Sequence, residues 1–244
     1  MRMRKKRRCS ERLSALSSII CLDLTDFSSK CEYLFNNKLP LRLEIGCGKG
    51  DFICELSKKE AEYNYFALEK VSDVIVVAAE KYASSRGLGG LSPHGFWQGP
   101  DGHVYENGEI WDIPIELRGN VRFIPCDAKD LTSLFPQSSI SDIFANFSDP
   151  WTKNGQAERR LTSPGFLIQY EKLLINGGSF RFKTDNEVLF NYSLETIKSS
   201  GLILTYYTRD LHSSEKACVN IETEYERNFS AKGFKINYLE AVKE

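Results

Sequence analysis

The sequence lacks several features that would define other classes of protein. It contains no run of roughly eighteen or more apolar residues, so we expect no transmembrane helix. Its seven cysteines are scattered and include no C-x-x-C pair, which argues against both a zinc site and a disulfide framework. Only three histidines are present, and His94 and His103 have no nearby third ligand, so we predict no metal site. The basic opening is followed by a segment too short and polar for a signal peptide, and we therefore predict a protein of the reducing cytoplasm.

The net charge of −1 hides an uneven distribution of charge. Residues 1–8 carry six Arg or Lys and no acid, which leaves 26 basic and 33 acidic residues, a charge of −7, for the rest of the chain. A flexible cationic arm on an acidic body could reach the phosphates of a nucleic acid. The alternative is a solvated tail that only improves solubility.

Apolar runs alternate with helical patterns along most of the chain. This alternation predicts an α/β protein with an open, mostly parallel, doubly wound sheet and helices on both of its faces. We expect a basic arm and leading helix over residues 1–36 and a single domain over residues 37–244. Ligands of such sheets bind at the carboxyl ends of the strands, so we expect the functional residues at these ends. The seven predicted strands are 41–46, 64–69, 121–127, 140–147, 179–185, 202–212 and 234–243.

Residues 89–119 interrupt this alternation with a connection far longer than is usual between a helix and the next strand. The dipeptide Asn107-Gly108, flanked by HVYE and EIWD, is typical of a type I′ hairpin, and GPDG before it is a second turn. We therefore predict an inserted small antiparallel hairpin. Because residues 91–117 hold five acids and no Lys or Arg, we do not expect this insertion to contact phosphate. It is either a surface for a partner or a decoration of the fold.

The first strand leads into a glycine-rich turn, Gly46-Cys47-Gly48-Lys49-Gly50. Such glycines let the backbone approach a ligand and direct helix N–H groups towards it. The dinucleotide fingerprint requires a further glycine at the position that Asp51 occupies here. An acid at a helix N-terminus would repel a pyrophosphate. The turn therefore favours a cofactor without phosphates, such as S-adenosylmethionine.

Acidic residues lie at the ends of three predicted strands. Glu69 closes the second strand, where a carboxylate can bind both ribose hydroxyls, although it could equally cap the following helix. Asp127 closes the third strand, at the expected adenine end of the site. Glu44 lies below the glycine turn, where the ammonium group of a methionyl moiety would bind. The combination of acids and glycines on successive strand ends is more specific for this cofactor than any single one of these residues.

The fourth strand ends in the turn Asn146-Phe147-Ser148-Asp149-Pro150-Trp151. An Asp-Pro-aromatic turn at this position resembles the turn with which amino- and ring-nitrogen methyltransferases hold a flat base. Proline stiffens the turn and directs the aspartate outward. The alternative is an ordinary turn with Trp151 in the core.

Together, the blocks EIGCGKG, NFSDPW, ERRL, FKTDN and TEYERNFSAKG resemble the bacterial tRNA (guanine-N7)-methyltransferases. The resemblance implies a class I, Rossmann-like methyltransferase fold and transfer of a methyl group from S-adenosylmethionine to N7 of a variable-loop guanine in tRNA. It implies Asp149 as the catalytic residue. By motif, the cofactor contacts are Glu44, Gly46, Gly48, Gly50, Glu69, Asp127 and Asp149. The implied substrate contacts are Lys153, Asp185, Thr223, Glu224, Tyr225 and Glu226.

Guanine N7 carries a free lone pair, so its methylation requires positioning and needs no general base. A carboxylate such as Asp149 would stabilise the positive charge of the product base and could accept a hydrogen bond from its N1–H or amine. Thr223 and Glu226 also have the spacing of a helix capping box, which is an alternative reason for both residues.

One departure from the family pattern concerns the loop after Trp151, which is less basic than in other members. Lys153, Arg159 and Arg160 are retained, while neutral residues and one glutamate replace several expected cations. Each lost phosphate contact weakens RNA binding, so we expect lower tRNA affinity or a larger contribution from residues 1–8. The alternative functions are a methyltransferase acting on another RNA base or a small molecule, a non-catalytic RNA-binding module and, least favoured because of Asp51, an NAD oxidoreductase.

Overall fold

The structure, a computed structural model, describes residues 5–244, with the side chain of Asn154 left out. The part of the predicted basic arm that precedes residue 5 lies outside the described residues. The chain divides into two compact units. The first comprises the residues up to Leu39 together with Cys47–Ala128, and the second comprises Pro40–Gly46 and Lys129–Glu244.

The α-helices are α1 (Cys9–Ala15), α2 (Phe27–Lys30), α3 (Asp51–Lys59), α4 (Ser72–Ser85), α5 (Leu131–Leu134), α6 (Pro164–Leu173), α7 (Glu187–Lys198) and α8 (Glu224–Ser230). The strands are β1 (Leu41–Ile45), β2 (Asn64–Leu68), β3 (Gly90–Leu91), β4 (Trp97–Gln98), β5 (Val104–Tyr105), β6 (Val121–Ile124), β7 (Ile140–Asn146), β8 (Leu174–Thr184), β9 (Leu202–Thr208) and β10 (Asn237–Lys243). All seven predicted strands are present. Their ends differ most at β8, which begins directly where α6 ends, and at β9, which stops at Thr208.

Seven strands form a sheet in the order β6-β2-β1-β7-β8-β10-β9. The pairs β2–β6, β1–β7 and β7–β8 are parallel, and β10 is antiparallel to both β8 and β9. The predicted fold class, a mostly parallel doubly wound sheet, is confirmed. No helix of the described residues is long and apolar enough to cross a membrane.

In the first unit, β2 and α4 supply much of the core. All five residues of β2 are buried, which is why this strand reads as a continuous apolar run rather than an alternating one. Helix α4 packs with Ile75, Val76 and Tyr82 buried. The Tyr82 hydroxyl accepts a hydrogen bond from the backbone N–H of Val121, and this bond ties α4 to the start of β6.

The described part of the N-terminal segment packs on α4 and does not form a free arm. The Arg12 guanidinium donates two hydrogen bonds to the Glu80 carboxylate, at 2.6 and 2.5 Å, and both side chains are buried. Arg8 lies over the ring of Phe96, 3.8 Å from its centroid, and the backbone N–H of Lys6 donates to Asp73. From residue 5 onward, the expectation of a flexible cationic arm is therefore wrong.

The predicted small antiparallel insertion is confirmed as a three-stranded sheet, β3-β4-β5, but its hairpin turns do not include Asn107-Gly108. The GPDG turn joins β4 to β5. Asn107 and Gly108 do form a turn with positive φ angles of 54° and 82°, but no strand follows it. The segment after the turn instead binds the leading helix region, because the backbone N–H of Trp111 donates to the carbonyl of Ala15. The predicted turn at Asn107-Gly108 is confirmed, but the predicted pairing of HVYE with EIWD across it is wrong.

The second unit is built around β7, β8 and β10. Phe144, Phe180 and Phe182 are buried along these strands. Helix α6 begins with Pro164, as predicted, and its Tyr170 hydroxyl donates to the carbonyl of Leu161.

Candidate active site

The glycine turn of the first unit begins where Cys47 donates its backbone N–H to the carbonyl of Leu68, at 2.9 Å. Gly48 and Gly50 have left-handed φ angles of 56° and 81°, but the space around them differs. A Cβ added to Gly50 would lie 2.8 Å from the Cβ of Ala78, whereas one added to Gly48 would meet no described atom within 4 Å. Gly50 is therefore required for packing of α3 on α4, and Gly48 leaves open space beside the turn. In the second unit, Gly46 (φ 77°) leaves similar open space.

Asp51, the first residue of α3, forms an ion pair with Lys81 of α4 at 2.6 Å. Lys81 neutralises much of the charge that the sequence places at this helix N-terminus. The argument that Asp51 alone would repel a pyrophosphate is consequently weaker than its position in the sequence implied.

Glu69 and Asp127 follow the ends of the paired strands β2 and β6 in the first unit. The backbone N–H of Glu69 donates to the carbonyl of Ile124, at 3.2 Å. The Glu69 carboxylate accepts from the backbone N–H of Val71, the residue before α4, at 3.0 Å. This bond lies just before α4 and is not a side-chain cap of that helix, and the half-buried carboxylate retains further acceptor positions. Asp127 is exposed.

In the second unit, Glu44 on β1 is 2% exposed, and its Oε1 accepts a hydrogen bond from the Asn146 amide of β7 at 3.2 Å. This contact follows from the parallel register, which pairs Glu44 with Phe144 and brings the carboxyl end of β7 alongside. Asn146 is the first residue of the turn that carries Asp149.

The turn Asn146–Trp151 has an unusual backbone conformation. Phe147 and Trp151 have left-handed φ angles of 52° and 44°, which are unfavourable for bulky residues. The backbone N–H of Phe147 donates to the carbonyl of Lys183 at 2.9 Å. On the other side, the Arg160 guanidinium donates to the carbonyls of Pro150 and Trp151, at 3.0 and 3.1 Å. The turn is thus held at both ends, and the Asp149 side chain between them is exposed.

The cations after Trp151 have separate roles. Arg160 is 9% exposed and lies over the ring of Tyr192, so it is a structural residue of the turn rather than a free phosphate contact. Arg159 lies over the ring of Trp151, and Lys153 is exposed. Sequence reasoning grouped the three as RNA-binding cations and missed the role of Arg160, because the distant carbonyls that it binds are not visible in the motif ERRL.

The segment Thr223–Glu226 forms the capping box that was the alternative interpretation. Thr223 Oγ1 accepts from the backbone N–H of Glu226 at 2.9 Å. The Glu226 side chain is fully buried, and its carboxylate binds Lys183 at 3.1 Å, His212 at 2.9 Å and Asn220 at 2.7 Å. Burial lowers the pKa of Lys183, and the Glu226 carboxylate opposes this shift. Glu226 therefore anchors the start of α8 from inside.

Glu224 and Tyr225, by contrast, are exposed. The Tyr225 hydroxyl lies 3.3 Å from the Asp185 carboxylate, and its ring lies 5.0 Å from that of Phe147. Partial desolvation of the hydroxyl, together with the neighbouring Asp185, raises the pKa of Tyr225 to about 12, so the phenol keeps its proton and donates a hydrogen bond to the carboxylate. The second unit thus brings Asp185, Tyr225 and the turn that carries Asp149 together.

Comparisons with known proteins identify the family of the chain. Residues 38–239 match the family described as "Putative methyltransferase". The tRNA (guanine-N(7)-)-methyltransferase of Listeria welshimeri is 37% identical over 241 residues, which cover 99% of this chain and 98% of that protein. The chain belongs to the tRNA (guanine-N7)-methyltransferase family. The enzyme of the same name from a Geobacillus species is 37% identical over 236 residues, covering 97% of this chain and 93% of that protein.

Solved structures confirm the class I methyltransferase fold of this family member. A 16S rRNA methyltransferase, KamB, superposes with a TM-score of 0.56 at 12% identity, covering 88% of this chain and 94% of that one. An antibiotic-related methyltransferase gives a TM-score of 0.54 at 12% identity, with 90% and 93% of the two chains covered. Family membership makes the protein a methyltransferase and sets aside the NAD oxidoreductase. Within residues 5–244, no group of three His, Cys, Asp or Glu side chains could hold a metal ion.

Proposed function

We propose that this methyltransferase transfers a methyl group from S-adenosylmethionine to N7 of a variable-loop guanine in tRNA, in the cytoplasm. The observation that carries the proposal is the exposed Asp149 on a turn held by Arg160 and by the end of β8. The family relationship over nearly the whole chain supports the choice of tRNA and of guanine N7.

The described residues fit the proposed cofactor. In the first unit, Gly48 offers open space beside a backbone turn, Gly50 keeps that turn close to α4, and Glu69 and Asp127 offer carboxylates for ribose hydroxyls and the adenine end. In the second unit we assign Glu44, Gly46 and Asp149 to cofactor binding, with the Glu44 carboxylate binding an ammonium group. When bound, S-adenosylmethionine supplies an electrophilic methyl group on a sulfonium.

The residues of the chain then have to position the base and stabilise its charge. N7 of guanine attacks with its own lone pair, so no residue has to remove a proton first. Asp149 accepts from the N1–H or exocyclic amine of guanine and stabilises the positive charge that develops on the ring. Because the turn is held at both ends, Asp149 is positioned before the substrate binds, which lowers the cost of orienting the two reactants.

The remaining predicted substrate contacts divide into two groups. Lys153, Asp185, Glu224 and Tyr225 are exposed or half-buried, and we assign them direct contacts with RNA. Thr223 and Glu226 are occupied by the capping box and the buried ion pair, and we assign them the indirect role of holding Glu224 and Tyr225 in place.

The proposal is tested by incubating the protein with methyl-labelled S-adenosylmethionine and bulk tRNA, followed by borohydride and aniline treatment. Since N7-methylguanine makes the RNA chain cleavable, we expect labelled tRNA that breaks at one site. Labelled tRNA that stays intact would refute methylation at N7. Absence of label in tRNA would favour a small-molecule substrate and refute the proposal.

The Asp149→Asn variant tests the assigned role of the carboxylate. We expect turnover to fall by about 100-fold or more, a loss typical for removal of one preorganised group that stabilises transition-state charge. Most of the S-adenosylmethionine affinity should remain. Asp26→Asn, which changes an exposed acid of the first unit, is the matched control and should leave turnover unchanged. Wild-type turnover by Asp149→Asn would remove Asp149 from the mechanism.

A further inference from the structure

Three aromatic rings continue from the Asp149-bearing turn along α8 and into the turn after it. Tyr225, next to Phe147, stacks on Phe229 with ring centroids 4.2 Å apart and planes 16° apart. Phe229 in turn packs against Phe234, at 5.4 Å between centroids. We call Tyr225, Phe229 and Phe234 the aromatic strip.

The outer end of the aromatic strip faces solvent. Phe234 is 53% exposed, more than Tyr225 at 41%, while Phe229 is half-buried. The backbone N–H of Phe234 donates to the carbonyl of Phe229, and Gly233 has a left-handed φ of 83°. A backbone turn therefore holds a large apolar ring in water, which is unfavourable unless a ligand covers it.

Acids lie at the Tyr225 end of the strip, where Glu224 and Asp185 are, and cations lie towards its outer end. Residues 227–235 contain Arg227, Lys232 and Lys235 and no acid, and Lys235 forms an ion pair with Asp210 at 3.1 Å. The Nζ atom of Lys232 lies 5.2 Å from the centroid of the Phe229 ring. Aromatic rings interleaved with cations are the combination with which proteins bind unstacked nucleotides, because every base offers a π-face and every phosphate a negative charge.

We propose that Phe234, at the outer end of the aromatic strip, stacks with an unpaired RNA base next to the methylated guanine. This inference rests on the proposed function and specifies how the RNA is held. A guanine presented to a methyltransferase has to leave its stack, and its neighbours then lose a stacking partner. The strip begins at the turn that carries Asp149 and supplies such a partner within one or two nucleotides of it. The cations near the strip favour RNA over an apolar protein surface as its occupant.

The test uses the full chain with Phe234→Leu, which keeps an apolar side chain but removes the π-face, and Phe234→Trp, which restores it. Because base–aromatic stacking contributes about 1–3 kcal/mol per base, we expect Phe234→Leu to raise the Kd for unmodified tRNA by about 5- to 150-fold. Phe234→Trp should stay within about 2-fold of wild type. In 2-aminopurine-labelled single-stranded RNA, wild type and Phe234→Trp should quench the fluorescence and Phe234→Leu should not.

Ile203→Ala is the matched control, because it truncates another exposed apolar side chain of the second unit. Ile203 lies on the edge strand β9 and pairs with Val242, which pairs with Ser179, four residues before Lys183 in β8. It should leave tRNA binding unchanged. S-adenosylmethionine affinity, measured by calorimetry, should be the same in all four proteins.

The outcomes separate this inference from the proposed function. If wild type methylates tRNA at guanine N7 while Phe234→Leu binds tRNA normally, the stacking role is refuted and the proposed function stands. Equal losses in Phe234→Leu and Phe234→Trp would also refute stacking. If sedimentation shows a wild-type dimer that Phe234→Leu dissociates without loss of RNA binding, the strip is a protein contact and the inference is wrong. A wild type that binds no tRNA would refute both.

Discussion

The two glycines of the first unit's turn give opposite expectations for the same substitution. In Gly50→Ala the new Cβ would lie 2.8 Å from the Ala78 Cβ and 3.0 Å from its Cα, at a φ of 81°. The left-handed backbone costs an alanine about 1–2 kcal/mol, and forced overlap in a packed region costs about 1–3 kcal/mol more. We therefore expect a loss of about 2–5 kcal/mol in the free energy of unfolding.

Gly48→Ala is the matched control, with φ 56° and no described atom near the new methyl group. Only the backbone cost of about 1–2 kcal/mol applies to this variant. Its methyl group projects into the open space that we assign to S-adenosylmethionine, so the loss should appear in cofactor affinity. Gly48→Ala is thus expected to fold well and bind the cofactor poorly.

Equilibrium urea unfolding gives the stability of each variant, and calorimetric titration with S-adenosylmethionine gives the affinity. A Gly50→Ala protein no less stable than Gly48→Ala would refute the packing argument. A Gly48→Ala protein with wild-type affinity would refute the placement of the cofactor beside Gly48.

Three further predictions concern buried charges. Arg12→Ala leaves Glu80 buried without its partner and should lower the free energy of unfolding in urea by about 3–5 kcal/mol. The double variant R12M/E80M should recover most of this stability, and no recovery would contradict the argument. Arg160→Lys should lower kcat with little change in S-adenosylmethionine affinity, because one ammonium cannot bind two carbonyls as the planar guanidinium does; an unchanged kcat would show that this clamp does not position Asp149. Glu226→Gln leaves the Lys183 ammonium without its buried counter-charge. Because the pKa of Lys183 is already lowered in the folded state, the unfolded chain binds more protons than the folded protein. Stability of this variant should therefore rise as the pH approaches the ordinary lysine value of 10.5, and a pH-independent deficit would contradict this reasoning.

The strands could be predicted from the sequence because each of them depends on a local pattern. Buried parallel strands such as β2 are short apolar runs, and polar residues that end such runs lie at the ligand-binding edge whatever the rest of the fold does. Thr223 and Glu226 were recognised as a capping box by their spacing alone.

The features that were missed depend on residues far apart in the chain. The Asn107-Gly108 turn is local and correct, but the segment after it binds Ala15, which no local pattern indicates. The ion pair between Asp51 and Lys81 likewise joins two helices and alters an electrostatic argument made from one position. Arg160 donates to the carbonyls of Pro150 and Trp151, ten and nine residues before it, and the motif ERRL does not indicate this contact.

The left-handed conformations of Phe147 and Trp151 set stability against activity in the catalytic turn. Glycine at either position would relax the backbone by about 1–2 kcal/mol, and it would also allow the turn to adopt other conformations. Selection for heat resistance alone would thus favour changes that leave Asp149 poorly positioned. The two aromatic residues are consequently a place where a more stable protein and a faster enzyme are expected to be different sequences.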